Sequence, residues 1–258
     1  MNACMTCDAH KNKIEEMENK FCKEMQLISS PVIGLAVSGG GDSLALLLLA
    51  SKWAKLSKRV LRVVTVDHRL RQESGDEALH VGAIANKLGH DHDILDWSYS
   101  HVKGNLQAEA ALARKRLISQ WAKERSLDVV LLGHTLDDQA ETFLMRLARG
   151  SGVDGLSGMK GFRNLHDVNW YRPLLGFYRG DLRFYLTDKK TKWVDDPSNE
   201  DLKYARVKAR KVLGELKGLG VDSKVIVETS KRMQKATDVL NDVAMKAGQK
   251  YLRLKKWG

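Results

Sequence analysis

No apolar run in this 258-residue chain approaches the roughly 18 residues that a membrane-crossing helix needs. The N-terminus is highly charged and lacks the apolar stretch of a secretory signal, so a cytoplasmic location with no membrane partner is the expectation. Cysteine is scarce and confined to one end, at Cys4, Cys7 and Cys22. Cys4-x-x-Cys7 is half of a tetrahedral zinc set, which His10 and Cys22 complete only on paper. Their spacing fits no established framework; they read as reduced thiols without an assigned role. Internal repeats and low-complexity tracts are also missing. What remains is 43% hydrophobic and 29% charged, the composition of a globular protein that can bury a core. The length allows one α/β domain with an appendage, or two small domains.

Positive charge is abundant but unevenly placed. Of the formal net charge of +11, residues 202–258 carry +10, from 15 Lys and Arg against 5 Asp and Glu. The preceding 201 residues are almost neutral. A basic tail on a neutral body implies a polyanionic partner, with Lys231, Arg232 and Lys235 as candidate contacts to nucleic-acid phosphates. A solvated helix face is the competing reading, weakened by the shortage of acidic partners for i,i+4 pairing.

Hydrophobic patterning gives strands that alternate with helices. Strands are expected at 32–37, 60–66, 93–97 and 129–132, and helices at 74–88, 106–125 and 136–149. Ser74 and Glu77 have capping-box spacing. The βαβα order implies a Rossmann-like parallel sheet with helices on both faces, followed by a helical C-terminal extension. A charged helix of unclear role is expected at 1–26, the α/β body at 27–201 and the basic extension at 202–258. Ligands bind beyond the C-terminal strand ends in such sheets, where Ser38, Asp67 and His134 fall.

Ser38-Gly39-Gly40-Gly41-Asp42-Ser43 stands at the first of these strand-to-helix junctions. No lysine follows the glycines, so the loop is not a Walker A motif, nor does it fit G-x-G-x-x-G. Consecutive glycines bring backbone close to a ligand, and the helix start offers N–H groups to an anion. Asp42 beside such a nest calls for a bridging cation such as Mg²⁺. A plain turn with Asp42 and Ser43 as caps is an equal reading of these six residues alone. The pattern resembles the pyrophosphate loop of the ATP pyrophosphatases, whose fold is that of the adenine nucleotide alpha hydrolases.

A second block, His134-Thr135-Leu136-Asp137-Asp138-Gln139-Ala140-Glu141-Thr142, opens the helix after the fourth strand. Asp138 and Glu141 share a helical face, and the helix dipole accounts for only part of this acidity. Together with Gly133, Arg146–Gly152, Val66–Arg71, Ala113–Arg116, Arg172-Pro173-Leu174-Leu175 and Asp196-Pro197-Ser198-Asn199-Glu200-Asp201, the block resembles the bacterial tRNA(Ile)-lysidine synthetases. The blocks occur in family order over about 180 residues. This resemblance implies ATP-dependent ligation of free lysine to the wobble cytidine of an isoleucine tRNA with a CAU anticodon. An adenylated cytidine would be the intermediate, with pyrophosphate and AMP released.

On that resemblance Ser38, Gly39, Gly40, Gly41 and Ser43 would cradle pyrophosphate, while Asp42 would place Mg²⁺ and help deprotonate the amine. Arg114 would stabilise the α-phosphate, and His134 would contact the nucleotide. Asp138 and Glu141 would take the lysine amine, with Asn199 and Arg210 near the lysine or adenylate. Many members carry Arg-Asn where this chain has Arg206-Val207, and many continue into further tRNA-gripping domains. Two other readings remain: a tRNA thiolase on the same fold, disfavoured by cysteines that all precede the loop, and a nucleotide- and RNA-binding module without catalysis.

Overall fold

A computed structural model describes residues 2–69, 74–97, 106–194, 201 and 203–251, without the side chains of 2–7, 106–108 and 251. Asn199 and the side chains of Cys4 and Cys7 lie outside the described residues. The chain divides into two compact units, Met1–Thr135 with Lys160–Asp196, and Leu136–Met159 with Pro197–Gly258.

The first unit is built on six strands: β1 (Val32–Ala36), β2 (Val60–Asp67), β3 (Asp91–Asp96), β4 (Val129–Leu132), β5 (Phe162–Leu165) and β6 (Val168–Tyr171). Their order is β3-β2-β1-β4-β6-β5, parallel except where β5 pairs antiparallel with β6. Strand alternation sends neighbouring residues to opposite faces. Val63, Val129 and Leu131 join one core with α1 (Asn2–Met25), α2 (Gly41–Ser57), α3 (Ser74–Lys87) and α7 (Arg179–Asp188). Val64, Val130 and Trp170 join a second core against α4 (Leu106–Glu124), through Ile118 and Trp121. The doubly covered parallel sheet expected from the sequence is therefore present, with one antiparallel edge strand added.

Two features escaped the sequence reading. Ile14, Met17, Phe21 and Met25 of α1 recur at three- and four-residue spacing and lie buried in the first core, so this charged helix is an integral layer. The β5–β6 hairpin turns through His166 and Asp167, whose φ angles of 53° and 60° are the left-handed pair of a tight two-residue turn. Without Asn-Gly or Asp-Gly there, the usual signal is missing.

In the second unit, α5 (Leu136–Leu147), α6 (Val153–Leu156), α8 (Ala205–Leu216) and α9 (Ser223–Tyr251) enclose a small core of Ala140, Phe143, Leu213 and Ile226. Asp222 starts α9 by accepting the Val225 N–H at 2.9 Å. Among the described residues, no helix is long and apolar enough to cross a membrane.

Candidate active site

β1 lies between β2 and β4, with β2 and β3 built out on one side of it and β4, β6 and β5 on the other. In open α/β sheets ligands bind at such a point of reversal, beyond the C-terminal strand ends, here those of β1 and β4. The Ser38–Ser43 loop leaves β1 at this point, and Gly133-His134 leaves β4.

The loop holds itself open from within. The Ser43 hydroxyl donates to the Gly40 carbonyl at 2.9 Å and accepts the Ser38 N–H at 3.2 Å. Gly39 takes φ +85°, which a side chain resists, and its carbonyl accepts the Val194 N–H at 3.2 Å. Gly40 is the N-cap of α2, and no side chain caps the helix. The first N–H groups of α2 at this start suit an anion. Gly133 packs against the backbone of Asp42 and Ser43. A Cβ there would stand 3.1 Å from the Ser43 Cα and 3.2 Å from the Asp42 carbonyl, backbone atoms that cannot swing aside.

Several polar and charged groups of this unit are held in pairs, one of them on the loop itself. Arg179, the first residue of α7, donates through Nε to Asp42 Oδ2 at 3.0 Å. At the end of β2, Asp67 accepts the Arg69 N–H at 2.9 Å and the Ser74 hydroxyl at 2.6 Å. Burial opposes its ionisation, but these two hydrogen bonds prevail and hold the carboxyl below its ordinary value. The Ser74 hydroxyl thus serves Asp67. Next in the chain, His68 accepts through Nε2 from Arg114 Nη2 at 2.8 Å and Nε at 3.1 Å. Beyond β4, His134 Nδ1 accepts from Arg172 Nε at 3.2 Å, while Arg172 Nη1 reaches the Lys160 carbonyl at 2.9 Å. An arginine only donates, so His134 carries its proton on Nε2. Burial, and secondarily the charge of Arg163, lowers the pKa of Arg172.

Ser38, Gly39, Gly40, Gly41, Asp42, Ser43, Arg114 and His134 all belong to this unit. Arg179, Arg172 and His68 were not among the expected site residues; their partners here are 38 to 137 residues away, and no local spacing announces these pairs. Among the described residues, no cluster of three or more His, Cys, Asp or Glu is arranged to hold a metal ion. A single carboxylate, Asp42, beside an anion nest fits a hard cation that arrives with phosphate and water ligands.

The second unit carries the acidic block on α5. Glu141 is 1% exposed and accepts from Arg210 Nε at 3.0 Å, so two of the expected lysine-site residues pair with each other. Asp138 is buried too. Their neighbours have structural partners: Asp137 accepts the Ser223 hydroxyl at 3.1 Å. The Gln139 amide accepts the Met159 N–H and donates to its carbonyl, at 2.6 and 2.8 Å. Lys231, Arg232 and Lys235 are exposed on α9, with Lys231 2.8 Å from Glu228.

Residues 10–216 match the PP-loop domain. This chain belongs to the PP-loop family. Relatives of this PP-loop protein include the tRNA(Ile)-lysidine synthases of Ruegeria pomeroyi, 44% identical, and Wolbachia pipientis wMel, 42% identical, each aligned over 81% of this chain. That of Bradyrhizobium diazoefficiens is 40% identical over 89% of it. The alignments take in 50%, 49% and 64% of those proteins, so the chain spans about half to two thirds of their length. The U34-tRNA thiolase NcsA from Methanococcus maripaludis, solved with its [4Fe-4S] cluster, superimposes with a TM-score of 0.76 at 19% identity. The overlay covers 88% of this chain and 80% of the thiolase, a likeness of fold alone.

Proposed function

We propose that this PP-loop protein is a cytoplasmic enzyme that uses ATP to join lysine to carbon 2 of the wobble cytidine of a CAU-anticodon isoleucine tRNA. The observation that carries this reading is the 40–44% identity to relatives that are each named tRNA(Ile)-lysidine synthase. The pyrophosphate loop and the pairs in its unit supply chemistry suited to the first step. The cytosine oxygen at carbon 2 attacks the α-phosphorus of ATP and expels pyrophosphate. Ser38, Gly39, Gly40, Gly41 and Ser43 receive that pyrophosphate through N–H and hydroxyl donors at the uncapped start of α2. Asp42 would hold Mg²⁺, which would offset the phosphate charge when bound. Arg114 supplies positive charge to the α-phosphate, and His134 offers its Nε2–H to the nucleotide.

In the second step the ε-amine of lysine attacks carbon 2, loses a proton, and expels AMP. Free lysine is protonated near neutral pH, so a carboxylate must bind the ammonium and help remove its proton. Asp138 and Glu141 of the second unit fill this role, with Arg210 orienting Glu141 and Asn199 assisting. The catalytic segment is 27–201, and the basic segment 202–258 holds tRNA through Lys231, Arg232 and Lys235.

Mass spectrometry of isoleucine tRNA after incubation with the protein, ATP and lysine tests the reading. A mass gain of one lysine less water, confined to the anticodon cytidine, is expected. A gain of sulfur would identify a thiolase, and unchanged tRNA would leave a binding module.

A further inference from the structure

Phe162, the first residue of edge strand β5, leaves 42% of its surface to solvent. One side of its ring lies on Tyr171, its register partner on β6, with centroids 4.1 Å apart and planes 16° from parallel. Tyr171 is 2% exposed and belongs to the first core. Its hydroxyl donates to the Glu24 carbonyl at 3.0 Å and engages the Glu24 carboxylate at 3.2 Å. The Phe162 ring is thus braced by a buried ring and open over much of the remainder. Cross-strand aromatic pairs stabilise sheets, which accounts for the stack. It does not account for the charge beside it. Lys160 and Arg163 bracket the ring in sequence, and both are exposed. Alternation along β5 turns Arg163 to the other face of the sheet edge, where its charge acts on Arg172. Arg172 in turn reaches the Lys160 carbonyl at 2.9 Å and His134 at 3.2 Å. Between 160 and 172 the one carboxylate in the sequence is Asp167, and Lys123 meets it at 2.8 Å.

We propose that Phe162 is a stacking platform for an unpaired base of the tRNA anticodon loop, beside the cytidine that reacts. This rests on the reading of isoleucine tRNA as substrate. Single-stranded RNA is held through two chemistries at once: bases stack on aromatic rings, and phosphates meet Lys or Arg. The β5 edge offers both within Lys160-Gly161-Phe162-Arg163. Its place in the sheet suits a neighbouring nucleotide. Leu35 of β1, Leu131 of β4, Tyr171 of β6 and Phe162 of β5 form one row of register partners. That row lies near the C-terminal ends of β1 and β4, from which the glycine loop and His134 emerge. Three strand spacings, about 14 Å, separate Phe162 from β1. The ring therefore stands at the end of the sheet that carries the site but apart from the loop. That position favours RNA flanking the cytidine over the ATP whose phosphates the loop would hold. Stacking tolerates any base, so the platform adds grip and orientation and does not itself select the isoleucine tRNA.

Two variants separate a platform from a cover. Phe162→Leu keeps an apolar lid on Tyr171 without an aromatic face, and Phe162→Trp restores the face. Phe162→Val, suited to a strand, gives the same comparison should leucine disturb the hairpin. The probe is an RNA stem-loop with the sequence of the isoleucine tRNA anticodon arm, its affinity read by fluorescence anisotropy. Phe162→Leu should weaken binding by about 5-fold to 150-fold, the range for loss of one base stack. Phe162→Trp should bind at least as tightly as the wild type. Abasic nucleotides placed in turn at the loop positions flanking the cytidine should single out one base. Its removal should weaken wild-type binding by a similar factor yet leave Phe162→Leu unchanged, because base and ring act as one unit. ATP affinity should stay constant in every variant. Wild-type RNA affinity in a folded Phe162→Leu protein would overturn the proposal, as would strictly additive losses or a wild-type protein that does not bind the stem-loop. A loss of ATP affinity would assign the ring to adenine instead and overturn it too. Coupling in a protein that forms no lysidine would refute the lysidine reading and leave the platform standing. Lysidine formation without coupling would refute the platform alone.

Discussion

Asp42 and Arg114 carry opposite charges and different obligations. Asp42 sits in the first turn of α2, where a negative charge favours the helix but opposes an incoming phosphate. Its pairing with Arg179 moderates that conflict in the free protein. Neither residue belongs to a buried core cluster, so loss of function on mutation need not mean loss of fold. Asp42→Asn and Arg114→Ala should each abolish most cytidine adenylation while their melting curves stay close to wild type. Removing one charge-stabilising group typically raises a barrier by about 2.7–4 kcal/mol, or roughly 100- to 1,000-fold in rate. Near-normal pyrophosphate release by either variant would end its assignment. Glu141 should behave differently, because it is buried against Arg210 on another unit. Glu141→Gln keeps the shape but weakens a charge-assisted contact worth about 1.5–3 kcal/mol. Adenylated tRNA should accumulate, or the KM for lysine should rise by on the order of 10-fold or more. An unchanged lysine dependence with slower adenylation would place Glu141 on the ATP side instead.

At the scale of elements, α1 shows what local patterning leaves out. Its sequence is charged, but Glu18 on its inner face is only 7% exposed. Glu18 accepts the Tyr185 hydroxyl of α7 at 3.0 Å and pairs with Lys52 of α2. Lys189 Nζ stands 3.8 Å away. Burial, with the charge of Glu18 second, raises the Tyr185 phenol well above its ordinary pKa, so it remains a donor. Three helices are therefore tied at one carboxylate. Glu18→Ala strands the buried Tyr185 hydroxyl, whereas half-exposed Lys52 can turn to water. The expected loss is about 1–3 kcal/mol, from the desolvation cost of an unmade hydrogen bond. Urea unfolding would read it as a lower midpoint at constant slope, and an unchanged midpoint would show that the tie contributes nothing. The contrast with the rest of the fold is physical. Strands β1, β2 and β4 were legible because burial on both faces writes a continuous apolar run. The glycine loop was legible because a close approach and a positive φ demand glycine. The role of α1, the hairpin turn at His166-Asp167 and the His–Arg pairs depend on partners far away in sequence. No window of neighbouring residues contains them.

For the whole molecule, charge is divided more sharply than structure. The two compact units interleave along the chain, since α5 and α6 pack with the C-terminal helices. Positive charge is instead concentrated in the last 57 residues, where basic exceed acidic residues 15 to 5. On α9, Lys231, Arg232 and Lys235 are exposed, and the 2.8 Å contact of Lys231 with Glu228 is an i,i+3 surface pair. Such a pair contributes at most about 1 kcal/mol and gives way readily to a phosphate. Counterion release then predicts a salt signature: each phosphate neutralised adds about 0.7–0.9 to the slope of log affinity against log salt. Replacing all three residues with glutamate should weaken tRNA binding and flatten that slope. ATP affinity of the free protein should not change, because none of the three belongs to the unit that carries the glycine loop. The substitution sets new like charges beside Glu228, so circular dichroism must first show that the helix persists. A folded variant that keeps both its tRNA affinity and its salt slope would make the cluster a solvated helix face.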